Sequence, residues 1–352
     1  MPRARELGLV FGPTEPGPHN AITDVPGVAV GHLTLLEGER IRTGVTAIVP
    51  HGGNPFREKV PAGLAVMNGY GKLAGATQLR ELGEIETAVL LTNTLAVGRA
   101  MEGAIRHVLD LPGNERVGSV NAVVGETNDG RLNDIRDIRV TADHALAAIA
   151  SAADGAVAEG VVGAGTGTVA FGYKGGIGTS SRRVAVGGVD HRLGVLVQSN
   201  YGGRLTLHGH GVPGATPTRD ADGSVMIVIA TDAAIDPRGL ERLALRAFAG
   251  IARTGSTFAN GSGDYAIAFS THPGVRRGGA RGRTADYAFG DALGGLFEAA
   301  ADATEEAVWN SLLQAHTVDG WSTTRARPAR VEAIDPQRVR DLVRRRPAPD
   351  ST

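Results

Sequence analysis

Short, nearly uninterrupted apolar runs constrain this chain more than any other feature of its sequence. They are Val28–Val30, Val45–Val49, Ala88–Leu91, Ala122–Val124, Val184–Val186, Leu193–Gln198, Val225–Ala230 and Tyr265–Phe269. A strand with one wet face alternates apolar and polar residues. These runs mostly do not, so they need cover on both faces. Stretches of helical period supply it. Asp236-Pro237 followed by Leu240, Leu243, Ala244, Ala247, Phe248 and Ile251 combines an N-cap, a first-turn proline and one apolar stripe. Leu293, Leu296, Phe297, Ala300, Ala307, Val308 and Leu312 mark a longer helix ending near Ala315. Ala142–Ala153 follows Thr141 as its cap, and a further helix is expected from about Lys72 to Leu82. Covered strands mixed with helices predict a layered α/β fold.

Composition narrows the function. The 352 residues carry 36 Lys+Arg against 37 Asp+Glu, a net charge of −1, which argues against a nucleic-acid partner. Aromatics at 4% argue against base-stacking platforms. Cysteine is absent, so disulfides, thiolate metal sites and a cysteine nucleophile are excluded. Residues 1–17 hold no apolar signal core, and no apolar run approaches the roughly 20 residues of a membrane span. A soluble cytoplasmic protein with no membrane partner is expected.

Several motifs carry no chemistry. His208-Gly209-His210 sets two imidazoles close together, but no third ligand stands at metal-ligand spacing, so it reads as a solvated loop. Gly209 to Gly214 spells G-x-G-x-x-G, yet Pro213 does not open the helix that a dinucleotide site needs. Gly175 to Ser181 lacks the Walker lysine and reads as an anion nest or a turn with capping hydroxyls. Neither G-x-S-x-G nor H-E-x-x-H occurs. Residues 202–223 and 273–284 read as glycine-rich loops, and Arg338–Arg346 as a solvated, frayed basic tail.

Polar segments at strand ends are open to two readings. Glu126–Asp134 follows Ala122–Val124, where active-site groups cluster and where Asn/Asp-Gly turns also occur. In Gln198–Gly202 the amide of Asn200 either donates to an oxyanion or closes a turn. Asp222-Gly223-Ser224 and Asn260–Asp264 precede strands and, on residues alone, are turns.

Together and in this order, these segments resemble the DmpA-type self-processing aminopeptidases. That family comprises the L-aminopeptidase/D-Ala-esterase/amidases and β-peptidyl aminopeptidases. The resemblance rests on Asn20–Val28, Val30-Gly31-His32, Asn68–Lys72, Gly83 to Thr87, Leu91–Thr94, the Glu126 and Gly175 segments, Gln198–Gly202, Ser224–Asp232 and Ser262–Asp264. It therefore spans nearly the whole chain. It implies a four-layer αββα sandwich resembling the N-terminal-nucleophile hydrolases, forming a single catalytic domain over residues 1–352. It also implies cleavage of Gly223–Ser224 into chains 1–223 and 224–352, a tetramer of the processed pairs, and no metal or cofactor.

Elementary chemistry agrees with that implication. A serine hydroxyl is a weak nucleophile and needs a base. Once Ser224 heads a chain, its own amine is one, with a pKa of roughly 7.7–8.0 near working pH. Gly223 lacks a Cβ, which eases attack on its carbonyl.

The remaining roles follow from the resemblance, position by position. Ser262 and Asp264 match the second serine and its acidic partner. Asn200 matches the oxyanion donor. Glu126 matches the carboxylate that holds the substrate's free amine, which implies release of N-terminal residues from small peptides, amides or esters. Asn128 lies in the same substrate site, where relatives often carry an aromatic, so a tyrosine hydroxyl is missing. Two other activities are known on this fold. An ornithine-acetyltransferase-like acyltransferase would use threonine where this chain has Ser224. A nylon-oligomer-type endoamidase would not need Glu126.

Overall fold

The computed structural model describes residues 1–212, 223–278 and 286–344. Its principal strands are β1 (Ala29–Glu37), β2 (Ile41–Val49), β3 (Val60–Gly69), β4 (Leu73–Ala74), β5 (Glu84–Ile85) and β6 (Val89–Asn93). They continue as β7 (Val123–Thr127), β8 (Gly176–Val186), β9 (Val189–Asn200), β10 (Ser224–Thr231) and β11 (Gly263–Ser270). The helices are α1 (Ala76–Leu82), α2 (Val97–Leu109), α3 (Ala142–Ala150), α4 (Pro237–Arg253), α5 (Gly294–Leu313) and α6 (Pro336–Arg344). One sheet has the order β1-β2-β6-β7-β4 and the other β8-β9-β10-β11-β3-β5. Pairing is antiparallel except for β6 with β7 and β10 with β11.

Side-chain parity shows why the apolar runs are continuous. In β10, Met226, Val228 and Ala230 join a core shared with Ile48, Val89, Leu91 and Val123 of the other sheet. Val225, Ile227 and Ile229 join a second core with Leu240, Leu243, Phe248, Leu296 and Trp309 of α4 and α5. A third core places Val45, Leu90 and Val124 under Ala100, Ala104, Ala145 and Ile149 of α2 and α3. Each central strand is therefore apolar on both faces, and the layers run helix, sheet, sheet, helix. This is the expected αββα sandwich. Among the described residues no helix is long and apolar enough to cross a membrane.

Glycines set how closely the layers meet. A Cβ on Gly178 of β8 would stand 1.9 Å from the Ala307 carbonyl oxygen of α5, and one on Gly63 of β3 would stand 2.1 Å from the Glu241 nitrogen of α4. The obstacles are backbone atoms that cannot swing away. Gly178→Ala is therefore expected to destabilise the fold by about 3 kcal/mol or more, at the upper end of overpacking costs. A thermal melt checks this.

Several expectations need correction. Gly175 to Ser181 is neither nest nor helix cap: Gly176 onward is β8, and its hydroxyls serve strand-to-helix contacts such as Ser180 Oγ to Ala303 O at 2.6 Å. The basic tail is not frayed up to residue 344, because α6 buries Val339 in the helix-side core. Residues 345–346 of that tail lie outside the described residues. Gly223-Ser224 does not close a tight hairpin, since β9 ends at Asn200 and β10 begins at Ser224. Asp222 of that motif lies outside the described residues, as do 213–221 of the loop at 202–223 and 279–284 of the loop at 273–284. The helix expected from Lys72 starts at Ala76, and the one expected to Ala153 ends at Ala150. The strand β3 and the helix α2 were not expected at all. Pro61 and Gly63 made β3 resemble a loop, and Gly98 and Gly103 did the same for α2. Gly103 is needed there, since a Cβ would stand 2.6 Å from the Ala142 carbonyl oxygen of α3.

Candidate active site

Strand parity also builds the site. Ser224 shares the parity of Met226, so it lies on the side of β10 that faces the other sheet. Met226 presses on Gly125 of β7, where a Cβ would meet its Cε at 2.3 Å. The next residue of β7 is Glu126. On β9, Gln198 and Asn200 share the parity of Leu196 and face the same gap. Gln198 Nε2 crosses it, donating to Thr92 O at 3.1 Å and Thr127 Oγ1 at 2.9 Å. Three strand ends from two sheets thus converge.

Ser224 is buried, at 5% exposure, and opposes Asn200 on β9 and Gly263 on β11. Its Oγ donates to the Gly223 carbonyl oxygen at 2.6 Å, and the Gly263 N–H donates to the same oxygen at 3.2 Å. A Cβ at Gly223 would stand 2.7 Å from Tyr201 Cα, so no larger residue fits without moving backbone. Ser262 Oγ donates to Asp264 Oδ1 at 2.6 Å. Asp264 Oδ2 is buried with no hydrogen-bond partner among the described residues. Burial pushes the Asp264 carboxyl up to about 6, although the Ser262 hydrogen bond pulls the other way. Asp264 shares the parity of Ala266 and Ala268, which face α4 and α5. Its carboxylate therefore stands on the other side of the sheet from the Ser224 side chain.

Glu126 is also buried. Its Oε1 accepts from the Lys72 N–H at 2.9 Å, and Oε2 accepts from Thr94 Oγ1. Burial raises its carboxyl above the ordinary value, while the bonds from Thr94 and Lys72 favour the charged form. Asn200 is held at both ends: Oδ1 accepts from Val169 N at 2.8 Å and Nδ2 donates to Asn128 O at 2.9 Å. One amide hydrogen is left over. Asn128 is exposed and its Oδ1 caps the following turn at Gly130 N, 3.0 Å away. Glu126, Asn128, Asn200, Gly223 and Ser224 line one cleft of about 690 Å³. Ser262 and Asp264 sit behind it, next to the lining residue Gly261.

A match to the family model of peptidase family S58 covers residues 20–326. The chain belongs to peptidase family S58. The β-peptidyl aminopeptidase BapA of Sphingosinicella microcystinivorans is 41% identical, over 95% of this chain and 91% of its own. The solved structure of a Pyrococcus horikoshii OT3 protein superposes with a TM-score of 0.89 at 44% identity, over 98% of this chain and 99% of that one. The L-aminopeptidase D-Ala-esterase/amidase of Ochrobactrum anthropi, described as a prototype serine aminopeptidase and a variant of the Ntn hydrolase fold, gives 0.88 at 38% identity, over 98% of each chain. This S58 chain is accordingly a hydrolase, a serine aminopeptidase/amidase on an Ntn-type αββα fold.

The groups singled out from the sequence line this cleft or stand behind it, but their supports were missed. Thr94 and Lys72 lie in quoted motifs, yet nothing in the one-dimensional pattern joined them to Glu126. Asn68 was missed as a clamp: its Nδ2 donates to Ser262 O at 2.5 Å and Ala259 O at 2.9 Å. A buried pair behind the cleft was also missed. Burial drives the Lys174 ammonium down to about 7 and the Asp129 carboxyl up to about 7. Lys174 Nζ donates to Gly165 O and Gly175 O, each at 2.8 Å. Asp129 Oδ1 accepts from Asn133 Nδ2 at 3.0 Å. The Asp129–Asn133 bond braces the segment carrying Asn128, the residue that anchors Asn200. Among the described residues no group of three or more His, Cys, Asp or Glu side chains could hold a metal ion, and His208-Gly209-His210 forms no such group.

Proposed function

We propose that the chain cuts itself between Gly223 and Ser224 and then uses the new N-terminal serine to release N-terminal residues from short peptides and amino-acid amides or esters. The observation that carries this reading is Ser224 Oγ, 2.6 Å from a Gly223 carbonyl oxygen that Gly263 N–H also contacts. In self-cleavage, Oγ attacks the Gly223 carbonyl carbon and the Gly263 N–H stabilises the oxyanion. The C–N bond breaks to give an ester and a free Ser224 amine, and water then releases the Gly223 carboxylate. Two chains result, 1–223 and 224–352. The second has 352 − 223 = 129 residues.

In turnover the Ser224 amine takes the hydroxyl proton and Oγ attacks the substrate carbonyl. Asn200 Nδ2–H faces the developing oxyanion. Losing such a donor typically costs about 10²–10³ in kcat. The amine then protonates the leaving group, and a water repeats the cycle on the acyl-serine. Glu126 holds the substrate ammonium, with Asn128 at its side. Asp264, carried by Ser262, sets the charge on the Ser224 amine from the far side of the sheet. The processed pairs assemble as a tetramer, which a sizing column with light scattering checks.

N-terminal sequencing of the smaller chain tests the reading. Ser-Val-Met-Ile is the expected start, and an uncut wild-type chain would refute it. Asp264 adds a pH test. Its carboxyl takes up a proton as pH falls through about 6, removing the negative charge behind the Ser224 strand end. kcat/KM should therefore fall on the acid side of about pH 6. In Asp264→Asn that limb should disappear while any limb belonging to the amine remains. An unchanged profile would remove Asp264 from this role.

A further inference from the structure

The charges lining the cleft are uneven. Glu126 is its one carboxylate among the described lining residues, whereas Arg131, Arg325 and Arg327 are exposed at its rim. The chain as a whole has a net charge of −1, so this concentration does not reflect composition. Arg330 is a fourth rim arginine, but it is engaged by Asp319 at 2.8 Å and Glu332 at 2.8 Å, and the exposed Lys72, which also lines the cleft, acts on Glu126. Arg131, Arg325 and Arg327 make no ion pair among the described residues.

The fold brings these arginines together. Arg325 lies in the turn of a hairpin, Val318–Ser322 with Arg327–Val331, and Arg327 opens its second strand. That hairpin is fastened to the loop bearing Arg131 by Trp321 N to Leu132 O at 2.9 Å, Thr323 N to Gly130 O at 2.8 Å and Thr323 Oγ1 to Asn133 O at 2.8 Å. The contact needs Gly320, where a Cβ would stand 2.1 Å from Leu132 O. The loop also carries Asn128 and follows directly on Glu126 near the end of β7. The cationic rim and the amine-binding carboxylate are thus parts of one assembly.

Burial gives the cleft a direction. Glu126 and Ser224 are buried at its floor, and the guanidinium groups stand at its mouth. With its ammonium on Glu126 and its scissile carbonyl at Ser224, a substrate can extend its leaving portion only toward the mouth. We propose that Arg325 and Arg327, with Arg131, recognise a carboxylate on the leaving portion, so that the preferred substrates are zwitterionic short peptides with a free C-terminus. This rests on the reading of Glu126 and Ser224 given above. Guanidinium is suited to carboxylate through paired N–H···O bonds.

The test compares three substrates sharing whichever aminoacyl residue the wild type cuts best: aminoacyl-alanine, its C-terminal amide, and aminoacyl-glutamate amide. The free acid should exceed the amide in kcat/KM by about five- to tenfold, since exposed ion pairs give a few-fold each. The advantage should lie in KM and shrink from 50 to 500 mM salt as the rim charges are screened. In Arg325→Gln/Arg327→Gln the acid-to-amide ratio should fall to about one. If the glutamate amide matches the free acid, the arginines read a carboxylate at the mouth, and the preference for a free C-terminus is overturned. Equal rates for all three in the wild type, or an unchanged ratio in the double variant, overturn the proposal while leaving the hydrolase reading intact. Failure to cut any of them, together with an uncut Gly223–Ser224 bond, overturns both.

Discussion

Ser224→Ala is expected to migrate as one chain of 36.3 kDa under denaturing conditions and to lose essentially all hydrolysis, whereas the wild type is expected to give two chains. One oxygen atom carries both effects. Without Oγ nothing attacks the Gly223 carbonyl, so the bond persists and the Ser224 amine is never freed. Without Oγ there is also no acyl acceptor in turnover. Nucleophile and base vanish together, and the drop in kcat should be on the order of 10⁶, as for loss of a serine nucleophile elsewhere. The replacement removes one hydroxyl at a strand end whose backbone pairing with Asn200 and Gly263 does not depend on it. The variant should therefore remain folded and give a single cooperative thermal melt. Intact mass, residual activity on aminoacyl p-nitroanilides and a melt separate the chemical effect from misfolding. A folded Ser224→Ala chain that is still cut, or that still turns over substrate, would falsify the assignment.

The parts of this molecule that were legible in the sequence were those fixed by local pattern. Continuous apolar runs announced strands covered on both faces, and the parity of β10, split between two cores, is the physical form of that signal. The helix α4 was readable from Asp236 and Pro237, whose cap bond to Gly239 N measures 2.7 Å. What stayed hidden depended on long-range packing. Pro61, Gly63, Gly98 and Gly103 carry loop-like local preferences, and β3 and α2 form because partners approach too closely for larger residues at Gly63 and Gly103. The same division holds in the site. Ser224, Glu126, Asn200, Ser262 and Asp264 came from motifs whose order resembles one family. The Thr94, Lys72 and Asn68 supports came only with the fold, since each bond joins residues far apart in the chain. The arginine rim lies in segments with no recognisable motif, and only the hairpin seated on Leu132 O brings it to the cleft mouth.

The second large effect is expected at Glu126. Glu126→Gln should lower kcat/KM for substrates with a free amine on the order of 10²–10⁴, because breaking a buried charge pair costs about 3–5 kcal/mol. The native carboxylate sits in a place that disfavours its charge: burial raises its pKa, and Thr94, the Lys72 N–H and the Lys72 ammonium only partly offset that. An arriving ammonium supplies the missing partner, so substrate binding should itself shift Glu126 toward the ionised form. A substrate without the amine leaves the carboxylate both buried and uncompensated, and its own neutral end cannot make up the deficit. The selectivity expected for a free N-terminus would therefore come mainly from the penalty on the wrong substrate. Glutamine keeps the shape and an acceptor for Lys72 N but removes the charge, so the penalty and the reward should disappear together. N-acetylated aminoacyl p-nitroanilide should gain relative to the free amine in Glu126→Gln, with the ratio of their kcat/KM values collapsing toward one. Gly223–Ser224 cleavage involves no substrate amine and should proceed in the variant, which separates a lost binding group from a lost nucleophile. An equal loss on both substrates with processing intact would mean that Glu126 shapes the cleft and does not bind the amine.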